Sequence, residues 1–465
     1  MANTYYNIRY VARIVMETLS PLAIGSGEKN ILTDSPVLRD VNGLPFIPGT
    51  SLAGVIRHAL TPGKRLNELM GWQKGTQGEG SRFIVSDAKI MDGKSCVVDG
   101  LRTEPWDELL TEYRTLPIRQ HTRIGLRGST QTHGKFDEEV VFTGTRFCFH
   151  MELVAEADSY EADFLAIIDT IHSAPFRIGS GSRSGFGKVR LVSAQYRKLN
   201  LTKPADWECY LGKSSDLNAP LEGFLPYAPQ AIEQPNIDQY QIVLHPIDFL
   251  MIGSGMGDSD ADRVYVSEKL IRWEQDKASV LEGNRTLLLP ASSLKGALSH
   301  RTAYHYNKQH GIYADALPPG ADPNDYTGKN NPAVASLFGS EGDRNGNGMR
   351  RGNVLFTDIL LQRRGHSQDQ VFNHVKIDRF TGGGIDGALF SEKATYVPEE
   401  VITFDVLLYI ENLPNAPDAV GAFECALKDL CSGMLSLGGN VNKGYGRFQG
   451  SMSKNGITIY EYNKH

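Results

Sequence analysis

Two copies of one pattern run through this chain, and the repeat constrains its fold more than any other feature. Ile-Gly-Ser-Gly occurs at residues 24–27 and again, 228 residues later, at 252–255. Three further matching segments follow each copy in the same order, and they are 47–54 with 289–296, 84–87 with 355–358, and 185–188 with 444–447. Four ordered matches indicate a tandem duplication, so both halves are expected to adopt the same fold.

Length and composition agree with two soluble domains. The chain has 465 residues, of which 40% are hydrophobic and 22% charged, as is typical of globular proteins. We predict a first domain at 1–198, a proline-punctuated linker at 199–235 and a second domain at 236–465. The sequence has no apolar run of membrane-spanning length and no signal-peptide core, so we expect a cytoplasmic protein without membrane contact. Its five cysteines form no C-x-x-C pair, so we expect reduced thiols.

The hydrophobic pattern predicts the same order of elements in each half: strand, helix, strand, strand, helix, strand. The predicted elements are 10–16, 51–60, 83–88, 146–154, 162–173 and a strand after 188, then 240–250, 292–304, 354–361, 402–410, 419–437 and a final strand. This order is typical of an α+β, ferredoxin-like or RNA-recognition-motif-like domain. Protruding hairpins are expected at 120–141 and 375–397, and a Gly-rich insert at 314–351 is expected on a surface.

The charge distribution points to a polyanion more than the net charge does. The formal charge of −6 argues against nucleic acid, because phosphate binding needs Lys and Arg. However, segments 113–136, 175–193 and 433–455 contain basic residues and no acid. Such sorting is typical of a polyanion-facing surface on a neutral body. Solvated loop charge is the alternative interpretation.

Several segments resemble a known family. Thr-Asp-Ser-Pro-Val-Leu-Arg-Asp at 33–40, followed by Leu-Pro-Phe-Ile-Pro-Gly-Thr-Ser-Leu at 44–52, resembles the RAMP superfamily of CRISPR-associated proteins, and most closely the backbone subunits of type III effector complexes. The loop 179–188 resembles the Gly-rich signature of that family, and 377–382 resembles its thumb segment. The likeness covers both halves, and two units in one chain are similar to fused variants such as type III-D.

The resemblance implies a function on RNA. The partners would be guide RNA, single-stranded target RNA and other subunits of the complex. Guide RNA would lie along a palm, and a thumb would press between guide and target. The target would be cut by a metal-dependent step that needs an aspartate after the first strand, and Asp34 matches that position.

A lone carboxylate with a pKa near 4 is a poor general base, but it can hold a divalent ion, Mg²⁺ or Mn²⁺. The ion would stabilise charge on the phosphate as the 2′-hydroxyl attacks, leaving a 2′,3′-cyclic phosphate and a 5′-hydroxyl. Alternatively, Asp34 only forms a turn beside Pro36.

The second half departs from this pattern. It has no Asp-Ser-Pro, and the offset between the halves grows from 228 to 242 before the Ser-Leu element. Its loop contains Asp258, Asp260 and Asp262, of which Asp262 aligns best. A second cutting site with Asp262 or Asp260 and a solvated acidic loop both stay open.

The remaining candidates are RNA contacts. Helices after Pro48 and Pro290 would offer backbone N–H groups and a positive dipole end to phosphate. Glycine loops allow close approach of the backbone, and thumb residues Phe136 and Phe390 are candidate wedges against bases. The predicted RNA-binding residues are Ser51, Arg57, Arg123, Arg127, Gly181, Arg183, Lys188, Ser293, Lys295, Arg379, Lys443 and Arg447.

Three other functions remain open at the level of sequence. In the first, the chain is a scaffold that binds RNA without cutting it. In the second, it is a metal-independent guide-processing nuclease with a histidine base. In the third, it is a duplicated ferredoxin-like protein that binds no RNA. Retention of cleavage by an Asp34→Ala variant would favour the scaffold. Cleavage in the presence of a chelator would favour the histidine nuclease.

Overall fold

The structure is a computed structural model. It describes residues 6–29, 33–125, 128–156, 158–340, 349–363, 367–398, 400–411, 413 and 417–462.

The first half contains a six-stranded antiparallel sheet, of which four strands, together with two helices on one face, form the repeated unit. Its elements are β1 (Ile8–Thr18), α1 (Gly49–Ala59), β2 (Phe83–Val85), β3 (Arg146–Ala155), α2 (Glu161–His172) and β4 (Val189–Asn200). The strands lie in the order β4-β1-β3-β2, and all neighbours are antiparallel. This is the ferredoxin-like arrangement predicted from the sequence, and we call it the first palm.

The second half repeats that arrangement. Its elements are β5 (Ile237–Pro246), α3 (Ala291–Gln309), β6 (Val354–Leu355), β7 (Ile402–Tyr409), α4 (Pro417–Cys431) and β8 (Phe448–Lys454). The order β8-β5-β7-β6 matches that of the first half, and strand Ile457–Glu461 extends the sheet beyond β8. The α+β class and the duplication are therefore confirmed, and we call this unit the second palm.

Alternation of side chains explains why these strands form. In β1, Tyr10, Ile14 and Met16 point to one face and are fully buried, as expected for a strand with one face on a core. The same core receives Leu52 and Ile56 of α1, which are four residues apart and share one helix face. The period-2 and period-3.6 patterns thus meet in one hydrophobic core per palm.

Each palm carries a hairpin, which we call the first and the second thumb. The first thumb pairs Ile118–Ile124 with Thr130–Glu139, and the second pairs Gln368–His374 with Phe390–Tyr396. The second thumb begins before the predicted residue 375, because the Val-Phe-Asn-His segment forms its first strand. His121 opposes Phe136 and His374 opposes Phe390, so the two thumbs have the same register.

Shorter elements connect these parts. The helices are Lys64–Met70, Glu108–Glu112, Pro204–Leu211 and Pro332–Phe338, and the strands are Trp72–Lys74, Gln77–Glu79, Lys89–Ile90, Leu225–Pro226, Arg263–Val264, Leu270–Glu274, Lys277–Leu281, Thr286–Leu289, Gly339–Ser340, Arg350–Arg351 and Ile359–Gln362.

The predicted linker 199–235 is part of the first palm over most of its length. Strand Leu225–Pro226 pairs with β4, and Tyr210 of helix Pro204–Leu211 donates a hydrogen bond to Glu152 of β3 at 2.6 Å. Arg13 of β1 donates to the carbonyl of Ala219 at 2.7 Å. The segment therefore covers the sheet face opposite the helices, and the proline pattern alone did not reveal these contacts.

Two insertions of the second half pack against other parts of the protein. The 14-residue growth of the repeat offset corresponds to the hairpin Leu270–Glu274/Lys277–Leu281. Trp273 of this hairpin donates from Nε1 to the carbonyl of Gly144 at 2.7 Å and stacks on Arg146. The insert predicted at 314–351 is not entirely on the surface, because helix Pro332–Phe338 buries Leu337 in the second core. Its residues 341–348 lie outside the described residues.

The first thumb joins the palms through a buried ion cluster. Arg119 forms ion pairs with Glu268 and, at 3.0 Å, with Asp358 of the second palm. All three residues are buried. One guanidinium faces two carboxylates in a buried environment. Removal of any one of the three groups would leave uncompensated buried charge and weaken the contact between the halves.

Candidate nucleic-acid interface

Asp34 lies in an exposed loop against the first thumb. The backbone N–H of Asp34 donates to Oδ1 of Asp137 at 2.8 Å, and the N–H of Asp137 lies 3.4 Å from Oδ2 of Asp34. The side chain of Asp34 is 50% exposed. Its carboxylate is therefore accessible from solvent rather than buried.

The loop that presents Asp34 is tied down at its far end. Glu139 of the thumb accepts from the N–H of Val37 at 2.8 Å and from Nη2 of Arg39 at 2.7 Å. Arg39 also donates to the carbonyl of Tyr113 at 2.8 Å. These bonds fix the position of the Asp34 loop relative to the first thumb.

The carboxylates of Asp34 and Asp137 provide oxygen ligands for a hard cation. Lys29 Nζ, at 3.5 Å from Asp34, is the nearby cation. Across the described residues, no cluster of three or more His, Cys, Asp or Glu side chains is arranged to hold a metal ion. The pair nevertheless fits Mg²⁺, which takes one or two carboxylates and completes its shell with substrate phosphate and water.

Asp262 occupies the same place in the second half. Its Oδ2 accepts from the N–H of Ser391 at 2.7 Å, and its own N–H donates to Oγ of Ser391 at 3.1 Å. Asp34 and Asp137 exchange the same two kinds of bond, so Ser391 stands where Asp137 stands. The hydrogen bonds from Ser391 hold the pKa of Asp262 below its usual value.

Asp258 and Asp260 do not join Asp262. Both carboxylates lie against the ammonium of Lys393, at 2.5 and 2.7 Å. The hydrogen bonds from Lys393 lower the pKa of both aspartates. Lys393 stands two residues after Ser391, at the place where the first half has Glu139. In the first half a thumb carboxylate binds the loop residue Arg39. In the second half a thumb ammonium binds the loop aspartates, so the signs of the charges are reversed.

Five cations converge where the two palms meet, and we call them the junction cluster. Its members are Arg177, Arg183, Lys188, Lys295 and Arg351. The first three come from the Gly-rich closing segment of the first palm, Lys295 from helix α3, and Arg351 from the end of the second-half insert. Arg351 donates to Oγ of Ser182 at 3.1 Å and approaches Nε2 of His58, so it bridges the two halves.

The electrostatics of the junction cluster are unbalanced. Burial, together with the neighbouring Arg183, lowers the pKa of Lys295, and burial lowers the pKa of Arg177 to about 10. Among the described residues, the Lys295 ammonium has no hydrogen-bond or ion-pair partner. Asp405, near Lys188, is the carboxylate that offsets part of this charge. The Lys295 side chain is only partly buried, and a phosphate group would supply an anion for this partly desolvated cation.

Both helix starts are occupied by a carboxylate. Asp87 Oδ1 accepts from the N–H of Gly49 at 2.9 Å, and Asp358 Oδ1 accepts from the N–H of Ala291 at 2.7 Å. An aspartate at this place already satisfies the positive end of a helix, so the expected open phosphate site at the helix starts is not found. Ser51 is exposed and Ser293 partly buried, and their N–H groups donate to the carbonyls of Pro48 and Pro290.

Arg57 is held within the first palm. Its Nη1 donates to the carbonyl of Gly71 at 2.6 Å and its Nη2 to Asn67 at 2.9 Å. The predicted RNA contact of Arg57 would therefore require these two bonds to open.

The thumbs present aromatic side chains. Phe136 is half-exposed and stacks on His121, with ring centroids 4.7 Å apart. Phe390 is partly buried beside His374, and the cations of Arg263 and Lys443 lie over its ring. Neither aromatic is folded into a core, and Phe136 is the more exposed of the two.

Phe380 at the tip of the second thumb is 99% exposed. The Asp378 carboxylate accepts from the N–H groups of Phe380 and Thr381, at 2.9 and 2.8 Å. This turn holds the backbone while the ring projects into solvent. A fully exposed phenylalanine on an ordered turn is costly in water, and stacking on a base would remove that cost.

A sequence model of the RAMP superfamily matches residues 15–190 and, a second time, residues 249–449. The chain belongs to the RAMP superfamily. Each matched region lies within one palm, which confirms the resemblance and the presence of two RAMP units. Membership indicates a CRISPR-associated RNA-binding subunit that works in a complex. No curated protein matches the chain.

The two RAMP units differ in how much of the predicted RNA-binding set they assemble. The structure brings Arg183, Lys188 and Lys295 together in the junction cluster, although Lys295 is more than a hundred residues away in sequence. Arg123 and Arg379 are exposed on the two thumbs, and Arg447 is exposed after the second closing loop. Lys443 lies 3.8 Å from the buried Glu392. Arg127 lies outside the described residues.

Gly181 is required by the closing loop of the first RAMP unit. Its φ is +65°, and a Cβ atom here would lie 2.6 Å from the ring of Phe186. A side chain is therefore excluded on both counts. The predicted role of this glycine in RNA binding is indirect, because it shapes the loop that carries Arg183.

Sequence reasoning missed Arg351, Asp137 and Phe380. Arg351 was assigned to a surface insert, and Asp137 carries no motif of its own. Phe380 was part of the segment that resembles the family, so the quoted motif contained the signal. None of the described helices has the length and apolarity needed to cross a membrane.

Proposed function

We propose that this protein is a backbone subunit of a type III CRISPR effector complex, in which two fused RAMP units hold guide RNA and cut the complementary target RNA. The observation that carries the proposal is the junction cluster, where Lys295 lies beside Arg183 and has no hydrogen-bond or ion-pair partner within the described part of the chain. Cations from both units lie near one another, as a phosphate backbone crossing from one unit to the next would require.

The guide would follow loops and thumbs rather than the sheet of the first palm. Helix Pro204–Leu211 and residues 213–219 cover that sheet, with Lys213 bound to Glu152 at 2.8 Å. Leu217 packs against Cys148 of β3 in a small apolar cluster. Three other features remain accessible: the cationic closing loop, the insert residue Arg351 and the exposed thumb aromatics. They favour a path for the guide along the closing loop and the thumbs.

Asp34 and Asp137 are the residues that would hold a divalent ion at the cutting site. When bound, the ion would stabilise negative charge on the scissile phosphate. The bonds from Glu139 to Val37 and Arg39 keep the Asp34 loop in place. Phe136, which is half-exposed and precedes Asp137, would occupy the place of a stacked base. A target nucleotide next to Asp34 would therefore be displaced. The 2′-hydroxyl of that nucleotide would then be free to turn toward the phosphate.

The second RAMP unit has a poorer cutting site. Ser391 replaces Asp137, and Asp258 and Asp260 are neutralised by Lys393. A single carboxylate offers fewer ligands to Mg²⁺. We therefore assign the main cleavage to Asp34 and a slower cut, or none, to Asp262.

Salt-dependent RNA binding tests the proposal. Lys295→Gln and Arg183→Gln should each weaken the binding of single-stranded RNA, by a similar factor for every RNA sequence. Each variant should also reduce the slope of log K against log salt concentration by about 1. Lys64→Gln changes an exposed lysine on helix Lys64–Met70 and is the matched control. The full chain purified from its source should carry RNA of uniform length. Equal binding by all three variants, or a chain free of RNA, would contradict the proposal.

A scaffold that binds RNA without cutting is the second candidate. The observation in its favour is that only two carboxylates meet at the Asp34 site, with no third acidic or histidine ligand among the described residues. Cleavage that is unchanged by Asp34→Asn in the assembled complex would select the scaffold.

A further inference from the structure

Three residues recur in both thumbs with the same mutual contacts. Residues 136–138 are Phe-Asp-Glu and residues 390–392 are Phe-Ser-Glu, and a histidine opposes the phenylalanine in each hairpin. The phenylalanine and the glutamate are two residues apart, so they share one face of the hairpin with that histidine. We call these residues the first thumb set (His121, Phe136 and Glu138) and the second thumb set (His374, Phe390 and Glu392).

The histidine ring lies against the phenylalanine ring in both sets. The ring centroids of His121 and Phe136 are 4.7 Å apart, and the two planes are nearly parallel, at 14°. The ring centroids of His374 and Phe390 are 4.9 Å apart, and their planes meet at 30°. Since contacts of this kind favour particular ring orientations, each histidine limits the directions in which its phenylalanine can turn.

A glutamate restrains each histidine ring. Oε1 of Glu138 lies 2.9 Å from Nε2 of His121, and these two side chains are 14% and 12% exposed. Oε1 of Glu392, whose side chain is 1% exposed, lies 2.7 Å from Nε2 of His374. In the first thumb, half-exposed Phe136 therefore rests on a pair of side chains that are themselves sheltered from solvent.

The opposite face of the same strands has diverged between the two halves of the duplication. Ser391 stands where the first thumb has Asp137, and Lys393 stands where it has Glu139. The side of the strand that faces Asp34 has thus changed its charges, while the histidine, phenylalanine and glutamate are identical in both thumbs. The retained residues therefore serve a task that both thumbs share, and that task is separate from holding an ion at Asp34.

We propose that His121 and His374 are positioning residues, each of which holds the phenylalanine of its own thumb in the place of a stacked base of the target. The histidines act through Phe136 and Phe390 and do not touch the scissile phosphate. The first thumb set would align the nucleotide beside Asp34, and the second set would displace a nucleotide in the same way at the poorer cutting site. The inference rests on the proposed function, because it assumes that the thumbs lie against paired guide and target RNA.

Fluorescence of 2-aminopurine in the target RNA tests this inference in the complex isolated with the tagged full chain. The guide RNA of that complex gives the complementary target sequence, and a series of targets carries the probe at one nucleotide after another, without Mg²⁺ so that the target stays intact. A 2-aminopurine base that has left the stack emits more strongly than a stacked one. We expect a bright position at each thumb in the wild-type complex, and His121→Leu should lose the emission at the position beside the Asp34 cut.

His374→Leu is the matched variant, because it makes the same change in the other thumb. It should lose the emission at the second bright position and retain it at the first. His121→Phe keeps a planar ring against Phe136, so it should retain more emission than His121→Leu. Unchanged emission in His121→Leu, loss at both positions in either leucine variant, or equal losses in His121→Leu and His121→Phe would overturn the inference.

Single-turnover cleavage with Mg²⁺ separates positioning from a general loss of structure. His121→Leu should slow the cut beside Asp34 by about 10-fold to about 100-fold, because a misplaced nucleotide leaves its 2′-hydroxyl out of line with the phosphate. The affinity for the target should change by less than about threefold, since the contacts to phosphate are retained. A weaker affinity with an unchanged single-turnover rate would indicate a structural role and overturn the inference.

The fluorescence measurement distinguishes failure of this inference from failure of the proposed function, because it does not require cleavage. A wild-type complex that binds the target but has no bright position would overturn the inference alone. A purified chain that carries no guide RNA would contradict the proposed function, and the inference with it.

Discussion

Nη2 of Arg119 lies 3.0 Å from Oδ2 of Asp358, although the two residues belong to different RAMP units. The same guanidinium binds Glu268, and the three side chains are buried. The contact links the first thumb to the capping aspartate of helix α3, so it connects the position of a thumb to the start of a helix in the next unit.

Replacing Arg119 should destabilise the protein strongly. Arg119→Met would leave Glu268 and Asp358 buried without a cation, and the expected loss is about 3–5 kcal/mol in the free energy of unfolding. Urea denaturation followed by circular dichroism measures it. Arg379→Met, in the exposed loop of the second thumb, should change the free energy by less than about 0.5 kcal/mol. Similar losses in both variants would show that the buried cluster has no special role.

The loss in Arg119→Met should depend on pH. Burial raises the pKa of Glu268 and Asp358 even beside Arg119, and removal of the arginine would raise both further. A carboxyl group whose folded pKa exceeds its unfolded pKa stabilises the fold at low pH, and this stabilisation is lost as pH rises through the folded pKa. The loss of stability of Arg119→Met relative to wild type should therefore become smaller as the pH is lowered from about 8 to about 5. A deficit that grows on acidification would contradict the assignment.

Asp34→Asn should abolish most cleavage while leaving RNA binding intact. Loss of one of two ligand carboxylates should slow target cleavage more than about 100-fold in the assembled complex with Mg²⁺. Asp137→Asn should give an intermediate rate, and Asp262→Asn a small change, because Ser391 leaves Asp262 without a second carboxylate. Glu28→Gln, an exposed change before the same loop, serves as the control. Comparable rates in the Asp34 and Glu28 variants would refute the catalytic role.

Phe380→Ala should weaken target RNA binding without affecting the fold. Loss of one aromatic–base stack costs about 1–3 kcal/mol, while removal of a solvent-exposed ring changes the free energy of unfolding by less than about 0.5 kcal/mol. Ile377→Ala, another exposed residue of the same turn, should have a smaller effect on RNA because it has no π face. Titration of labelled target into the guide-loaded complex gives both affinities, and equal losses would exclude stacking.

The sequence predicted the repeated folds well because their signals are local. The alternation of Tyr10, Ile14 and Met16 and the spacing of Leu52 and Ile56 are readable in short windows. The Asp34 loop was likewise recognisable from adjacent residues.

Pairings between distant residues had no such signal. Arg183 and Lys295 were each predicted to bind RNA, but their meeting at the junction depends on how the halves pack. The sequence also predicted open helix starts, because nothing near Pro48 or Pro290 announces that Asp87 and Asp358 cap them. The second-half spacing revealed an insertion but not that Trp273 would anchor it on Gly144.

The hairpin Leu270–Glu274/Lys277–Leu281 has a consequence for the spacing of the two candidate cutting sites. Because it anchors the second unit directly on the first, it constrains the distance between Asp34 and Asp262 in addition to the connecting residues 228–236. A strand lying across both units would meet their equivalent positions at a constant interval in nucleotides. The interval between these two positions on the RNA would then stay the same when the connecting peptide is changed.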